Sequence, residues 1–310
     1  MAHTQTSLRK VLRAESMKIA RPPRNRMPKA ASASSVSWIW TNTGFRPVDG
    51  IPVWDRGFRY GMAVFESIRC GRGGPWFWEE HFAGLAKTAS RLGWPLDPAS
   101  SSPAASLLAG RTGDGFARIY LTAGDGAPTA PVVAPRLLLT HEARQRILPE
   151  SYAVVESPSA HHPVLGGVKS ACYWPNLLAL EAARARDAGE TLLFNANGHL
   201  IGAAMANVFL KKNGTWHTPA AATGAREGIV RQWVLERIPA VEGILDRSAC
   251  QAAEAFFLTN SWLGIMPVHA LQERPIEVPR EVRALREELE KVCPSVVSPF
   301  PDSLQPTRMR

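Results

Sequence analysis

Two Asn-Gly dipeptides, Asn197-Gly198 and Asn213-Gly214, restrict the fold of this chain more than any other feature in it. Each interrupts a strand-length apolar run, TLLFNANGHL in one case and NVFLKKNGTWHTP in the other. Asn-Gly is the strongest short-range hairpin signal because both residues tolerate the positive φ of a tight turn. The stretch from Thr191 to Pro219 therefore reads as two consecutive hairpins. AEAFFLTNSWLGIMPV, residues 253–268, is apolar almost throughout and reads as a buried strand followed by a turn.

Helical signals alternate with these strands. Glu79 to Leu92 puts Phe82, Leu85, Ala86, Ala89 and Leu92 on one face, has Glu79 and Glu80 at its start, and meets Gly93 and Pro95 at its end. A second helix is expected from Asn176 to Ala188, stopped by Gly189, a third from Gly228 through GIVRQWVLE, and a fourth from Pro279 to Lys291. In the first half, order begins at Ser37, with short strands around turns at Asn42-Thr43-Gly44 and Asp49-Gly50. A strand from Val64 to Cys70 follows, linked through Gly71 to Gly74 to a partner at Trp76 to Trp78. One more helix is expected within residues 97–115, then strands at 117–124 and 135–143. This is an α/β chain of the α+β type in two domains, residues 37–148 and 149–310, with the loose segment ARQRILPESY at the boundary.

The formal net charge of +9 does not indicate a nucleic-acid partner once its distribution is seen. Residues 1–35 carry eight basic side chains against Glu15 alone, so the remaining 275 residues hold a net charge of only +2 and have no basic stripe with interleaved aromatics. Residues 1–36 read as a disordered basic tail, or as an organelle transit peptide, or as sequence upstream of a start at Met17 or Met27. With 45% hydrophobic and 20% charged residues and no apolar run of membrane-spanning length, a soluble cytoplasmic protein without a membrane partner is expected. Cys70, Cys172, Cys250 and Cys293 are widely spaced, form no CxxC pair and read as reduced thiols. No metal site is expected: His161-His162 before Pro163 has no third ligand at suitable spacing.

One lysine stands in an unusual setting. Lys169 is flanked by Gly166, Gly167, Val168 and Ser170, where nothing polar holds it in water. A partly buried amine loses proton affinity, which is how proteins make nucleophilic lysines; the competing reading is a side chain whose head snorkels to solvent.

The motifs around Lys169 add up to a resemblance. IPVWDRGFRYGMAVFESIR, EEHFAGLAKTASRLG, KSACYWPNLLALEA, NGHLIGAAMANVF, TP with GIVRQWVLE, and LTNSWLGIMPV occur in the order seen in class IV aminotransferases, across roughly residues 37–275. These fold-type IV pyridoxal-phosphate enzymes include branched-chain and D-amino-acid aminotransferases and 4-amino-4-deoxychorismate lyase. The resemblance implies a two-domain homodimer acting on a small amine or amino acid, with pyridoxal 5'-phosphate between the domains and Lys169 as the residue that binds it covalently. It implies cofactor contacts from Gly228, Ile229 and Val230, with the Thr259 and Ser261 hydroxyls as candidates for the phosphate or a substrate carboxylate and turn capping as their competing role. It also implies a substrate contact from Tyr60, on a strand that lines the cleft in the relatives, with core or interface packing as the competing role. TNS followed by GIMPV, Thr259 to Val268, is most similar to the lyases, which form p-aminobenzoate and pyruvate for folate biosynthesis.

Two positions depart from the family pattern. The arginine that clamps the cofactor phosphate is replaced by Gly84, and the glutamate that holds the pyridine nitrogen protonated is replaced by Gly202. Val230 stands where the family often has a hydroxyl residue, although backbone amides at 228–230 remain available to an anion. Lys87 and Arg91 lie on the same helical face as Gly84 and are candidate substitutes, with solvated charge as the competing reading. The departures imply weakened cofactor binding, or a cofactor-free member with a binding role. Glu66, an acid on an apolar strand, is expected to be buried with a hydrogen-bonding partner, and Asn207 to satisfy backbone groups where strand meets loop.

Overall fold

A computed structural model describes residues 35–111, 113–161, 165–292 and 294. The expected disorder of the tail, and the roles considered for His162 and Cys293, fall outside them. Strand β1 begins at Ser35, so Ser35 and Val36 are sheet residues and not tail.

The first sheet contains β1 (Ser35–Thr41), β2 (Gly44–Pro47), β3 (Ala63–Gly71), β4 (Gly74–Pro75), β5 (Gly115–Thr122) and β6 (Arg136–Ala143). Its order is β2-β1-β6-β5-β3-β4, and every pairing is antiparallel. Helix α1 (Arg56–Tyr60) precedes β3, and helices α2 (Trp78–Leu92) and α3 (Ser101–Ala109) follow β4. Phe82, Leu85 and Ala89 of α2, with Leu108 of α3, pack on Val64, Ile68, Ala117, Ile119 and Leu139 of the sheet. Gly93 ends α2 at φ 68°, a left-handed cap that glycine adopts without a Cβ penalty.

The second sheet takes the rest of the chain. It comprises β7 (Tyr152–Ala160), β8 (Glu190–Phe194), β9 (Leu200–Ala203), β10 (Asn207–Lys212), β11 (Thr215–Pro219), β12 (Ala240–Gly243), β13 (Ala255–Asn260), β14 (Gly264–Leu271) and β15 (Arg274–Pro275). The order is β12-β11-β10-β13-β14-β7-β8-β9, with β15 on β14. β7 lies parallel to both β14 and β8, so the sheet is mixed. Both Asn-Gly hairpins form, with Gly198 at φ 76° and Asn213 and Gly214 at φ 50° and 75°. Side chains alternate across the sheet. Val208, Leu210, Leu258 and Met266 face one core, and Phe209, Phe257 and Ile265 face another. Helices α5 (Ile229–Leu235) and α7 (Arg280–Val292) close the second face through Trp233, Val234, Val282 and Leu289. Helix α4 (Trp174–Arg184) packs on β8, and α6 (Arg247–Gln251) leads into β13.

Several elements differ from expectation. The Trp76–Trp78 strand does not form, since β4 is only Gly74–Pro75 and Trp78 already begins α2. Helix α4 ends at Arg184 and not at Ala188, because the chain turns through Asp187 at φ 57° before Gly189 is reached. The stretch before β3 holds α1, started by Asp55 Oδ1 accepting from the Gly57 amide at 2.7 Å and ended by Gly61 at φ 67°. The segment between β6 and β7 is anchored: Arg146, fully buried, donates to the Trp262 and Leu263 carbonyls at 2.5 and 2.7 Å and pairs with Glu290 at 2.8 Å.

Candidate active site

The site is assembled where the Lys169 segment lies along the start of β3. The Phe65 amide donates to the Lys169 carbonyl at 3.0 Å, the Ala171 amide donates to the Ala63 carbonyl at 2.8 Å, and Ser170 bridges Val64. These bonds fix the lysine backbone against the strand that carries Glu66. The side chain runs over aromatic surface, with Nζ 4.5 Å from the Phe65 ring centroid and 4.6 Å from that of Tyr173. Nζ donates to the Tyr173 hydroxyl at 3.2 Å. Burial, reinforced by the positive charges of Arg226 and Arg118 and opposed by Glu66, lowers the amine to about 7. At neutral pH a large fraction of Lys169 is then the unprotonated nucleophile. Burial pushes the Tyr173 phenol upward, so it stays protonated beside the amine.

Glu66 organises the other side. Burial alone would raise its carboxyl, but the Arg226 charge and the hydrogen bonds from His81 and Arg226 bring it down to about 2. Arg226 Nη2 donates to both Glu66 oxygens at 2.7 Å, and His81 Nδ1 lies 3.0 Å from Oε2. An ionised carboxylate only accepts, so Nδ1 carries the proton. His81 Nε2 lies 3.3 Å from the Ser261 hydroxyl at the β13–β14 turn. The expected hydrogen-bonded burial of Glu66 is what the structure shows.

Arg226 is held from behind as well. Asn207 Nδ2 donates to its carbonyl at 2.6 Å, and Asn207 is also the register partner of Thr259 across β10 and β13. Arg226 Nη1 and Thr259 Oγ1 are both buried without a hydrogen-bond partner, and Thr259 has no exposed surface. Gly228 caps α5 at its start, and Val230, in the first turn, is buried in the apolar core under the sheet.

Lys169, Glu66, His81, Ser261 and Arg226 are thus linked through β3, while Thr259 joins them through Asn207. Tyr60 lies on helix α1 and not on a strand; it is 42% exposed with Arg59 stacked 4.9 Å from its ring centroid. Neither candidate substitute on α2 turns inward. Lys87 is exposed and pairs with Glu227 at 3.3 Å, and exposed Arg91 donates to the Gly166 carbonyl at 3.1 Å. Arg226 escaped the sequence reading. Its signal was nonetheless present, since it is the only Lys or Arg between Lys212 and Arg231 and sits among small residues, as Lys169 does.

Gly202 lies in β9 at φ 145°, where L-residues are strained, and a Cβ there would approach the Ala206 carbonyl at 3.1 Å. The backbone has adopted a glycine conformation at that position. The buried acid near the β9–β10 turn, Glu190, is already used: its oxygens accept from the Thr191 and Met205 amides at 3.0 Å each. Burial raises its carboxyl to about 7 despite those bonds.

Comparison with known proteins places these residues in context. Residues 63–271 match the family model described as Amino-transferase class IV. The chain is 26% identical to an aminodeoxychorismate lyase of Vibrio harveyi over 78% of this chain and 94% of that protein. It is 28% identical to a putative branched-chain-amino-acid aminotransferase of Methanocaldococcus jannaschii over 73% of this chain and 84% of that protein. Among solved structures, a putative 4-amino-4-deoxychorismate lyase from Legionella pneumophila superposes with a TM-score of 0.69 at 25% identity, covering 79% of this chain and 96% of that one.

Proposed function

We propose that this chain, which belongs to the class IV aminotransferase family, is a lyase that converts 4-amino-4-deoxychorismate to p-aminobenzoate and pyruvate. The family uses pyridoxal phosphate, and the residues present suit that group at two points. Lys169 offers an amine with a substantial neutral fraction at pH 7 for its aldehyde, and buried donors on Arg226 and Thr259 lack partners of their own. When bound, the cofactor supplies an electron sink for the carbon that loses a proton.

Lys169 is the proton carrier in this reading. Its Nζ, directed by the Tyr173 hydroxyl at 3.2 Å, takes the proton from the substrate ring carbon that bears the amine, and the enolpyruvyl ether sits on the adjacent ring carbon. The electron pair enters the ring, the C–O bond to the enolpyruvyl group breaks, and the leaving group takes up a proton to depart as pyruvate. The observation that carries the cofactor-dependent reading is Lys169 Nζ held over the Phe65 and Tyr173 rings and bonded to the Tyr173 hydroxyl, where burial and neighbouring cations lower the amine to about 7. Gly202 supports lyase over transaminase. With no carboxylate at that position the sink is weaker, and formation of an aromatic product compensates a lyase in a way that a transaminase lacks.

A branched-chain or D-amino-acid aminotransferase is the second reading, favoured by the Methanocaldococcus jannaschii relative. The exposed apolar residues on two adjoining helices support a homodimer. Trp54 and Phe58 flank or occupy α1, Trp174, Leu177 and Leu178 lie on α4, and Cys172 Sγ lies 3.5 Å from the Gly61 carbonyl between them.

The test is a titration with pyridoxal phosphate followed by product assay. The wild-type chain should develop a bound-cofactor absorbance band that Lys169→Ala abolishes, with uptake slowing below about pH 7 as the amine protonates. It should then release p-aminobenzoate from aminodeoxychorismate. Turnover of an amino-acid and 2-oxoacid panel alone would establish the aminotransferase, and no band at saturating cofactor would leave a cofactor-free protein.

A further inference from the structure

We infer that Arg226 is the phosphate anchor of this chain, its Nη1 and the Thr259 hydroxyl together taking the oxyanion of a phosphorylated pyridoxal cofactor. The inference rests on the pyridoxal-phosphate reading above and assigns a residue to one end of that ligand.

Three observations carry it. The guanidinium is divided between two tasks, because Nη2 alone serves both Glu66 oxygens at 2.7 Å while Nη1 is buried and has no partner. A buried donor of a charged group is costly to leave unmade, so it marks a place where an acceptor binds. The Thr259 hydroxyl is a second such group, on a residue with no exposed surface, and Asn207 ties the two together as register partner of one and hydrogen-bond donor to the other's carbonyl.

The third observation is the bare position 84 on α2. A Cβ at Gly84 would meet only Glu66 Oε1, at an ordinary 3.7 Å, so beside the His81 contact to Oε2 the helix leaves the Oε1 side of the carboxylate open to Arg226 from the opposite loop. An arginine at position 84 would compete for the same carboxylate. The lack of a side chain there and the arrival of Arg226 are complementary. Because Arg226 is held at its carbonyl by Asn207 and at its side chain by Glu66, its free donor is preorganised, which suits an anion that stays bound through every turnover better than one that leaves with product.

The test compares pyridoxal phosphate with unphosphorylated pyridoxal by absorbance titration, and adds inorganic phosphate in a thermal-shift assay. Arg226→Gln should weaken pyridoxal phosphate about 10- to 100-fold, the range for one charge-assisted hydrogen-bonding group, with pyridoxal affinity changed less than about twofold. The wild-type thermal shift with inorganic phosphate should disappear in the same variant. If Arg226→Gln does not fold because Glu66 loses its counter-charge, Glu66→Gln/Arg226→Gln buries no uncompensated carboxylate and should show the same loss. Gly84→Arg added to Arg226→Gln should recover at least part of the phosphate preference. A wild-type chain that binds pyridoxal phosphate, and variants that keep its preference over pyridoxal, would overturn the role of Arg226 while leaving the cofactor reading standing. Equal loss of both ligands, or loss only of carboxylate substrates, would also overturn it. A wild-type chain that binds neither ligand would overturn both readings.

Discussion

Glu66 is 5% exposed and nevertheless ionised, because Arg226 and His81 both donate to it inside the fold. Its carboxyl stands at about 2 in the folded chain against an ordinary 4.5, so folding releases a proton between those values. Stability from this group is fully present above about pH 4.5 and is lost as pH falls toward 2. Glu66→Gln should cost about 3 kcal/mol at pH 7, since it leaves Arg226 without its counter-charge. It should also flatten the fall in urea midpoint between pH 4.5 and 2, which equilibrium unfolding at several pH values would measure. Lys169 and Glu66 were both marked in the sequence as charges in apolar settings. Arg226, whose charge helps to lower both groups, lies 160 residues from Glu66, and its small-residue setting does not say that it reaches them.

The loop between β11 and α5 positions Arg226, and its fit depends on one glycine. The Gly228 backbone presses against Asn207 Oδ1, the same side chain whose Nδ2 holds the Arg226 carbonyl, and no Cβ fits between them. Gly228→Ala should therefore shift Asn207 and cost about 1–3 kcal/mol, as overpacking does. Thermal unfolding would read the cost, and limited proteolysis within residues 220–228 should quicken as the loop loses its anchor. Helix α2 and both Asn-Gly hairpins were legible because their signals are local: a 3.6-residue apolar period ending in glycine, and a dipeptide suited to positive φ. Helix α1 was not, since five residues are too few for a period to show. Strand β7 carried no turn signal and is defined by its parallel neighbours β14 and β8, one of them more than a hundred residues away. We propose a domain division near residue 148, following the change from the first sheet to the second.

Taken as a whole, the chain exposes Trp174 at 73%, Trp54 and Phe58 at 66% and Leu178 at 54% around the ends of α1 and α4. Soluble monomers rarely leave adjoining apolar groups of this size in water, and a second copy of the chain would cover them. Light scattering on a gel-filtration column should give the dimer mass for the wild type. Leu178→Glu should shift it toward the monomer, with little change in far-ultraviolet circular dichroism because the side chain makes no core contact.

What the amino-acid sequence determined by itself was everything encoded within a few turns of chain: the hairpins, the long helices and their glycine stops, and a lysine too poorly solvated to be an ordinary surface charge. The ordered motifs around that lysine also identified the family. The substitutions at Gly84 and Gly202 were equally visible, but their meaning was not. Whether a missing side chain is a loss or is made good from elsewhere depends on which distant groups the sheets bring into contact. At Gly84, packing brings Arg226 across to Glu66 from a loop that adjoins it only in three dimensions. At Gly202, packing commits the backbone to a conformation suited to glycine, and the buried acid behind it is spent on backbone amides. Electrostatic states follow distance and burial, and neither quantity exists until the chain is folded.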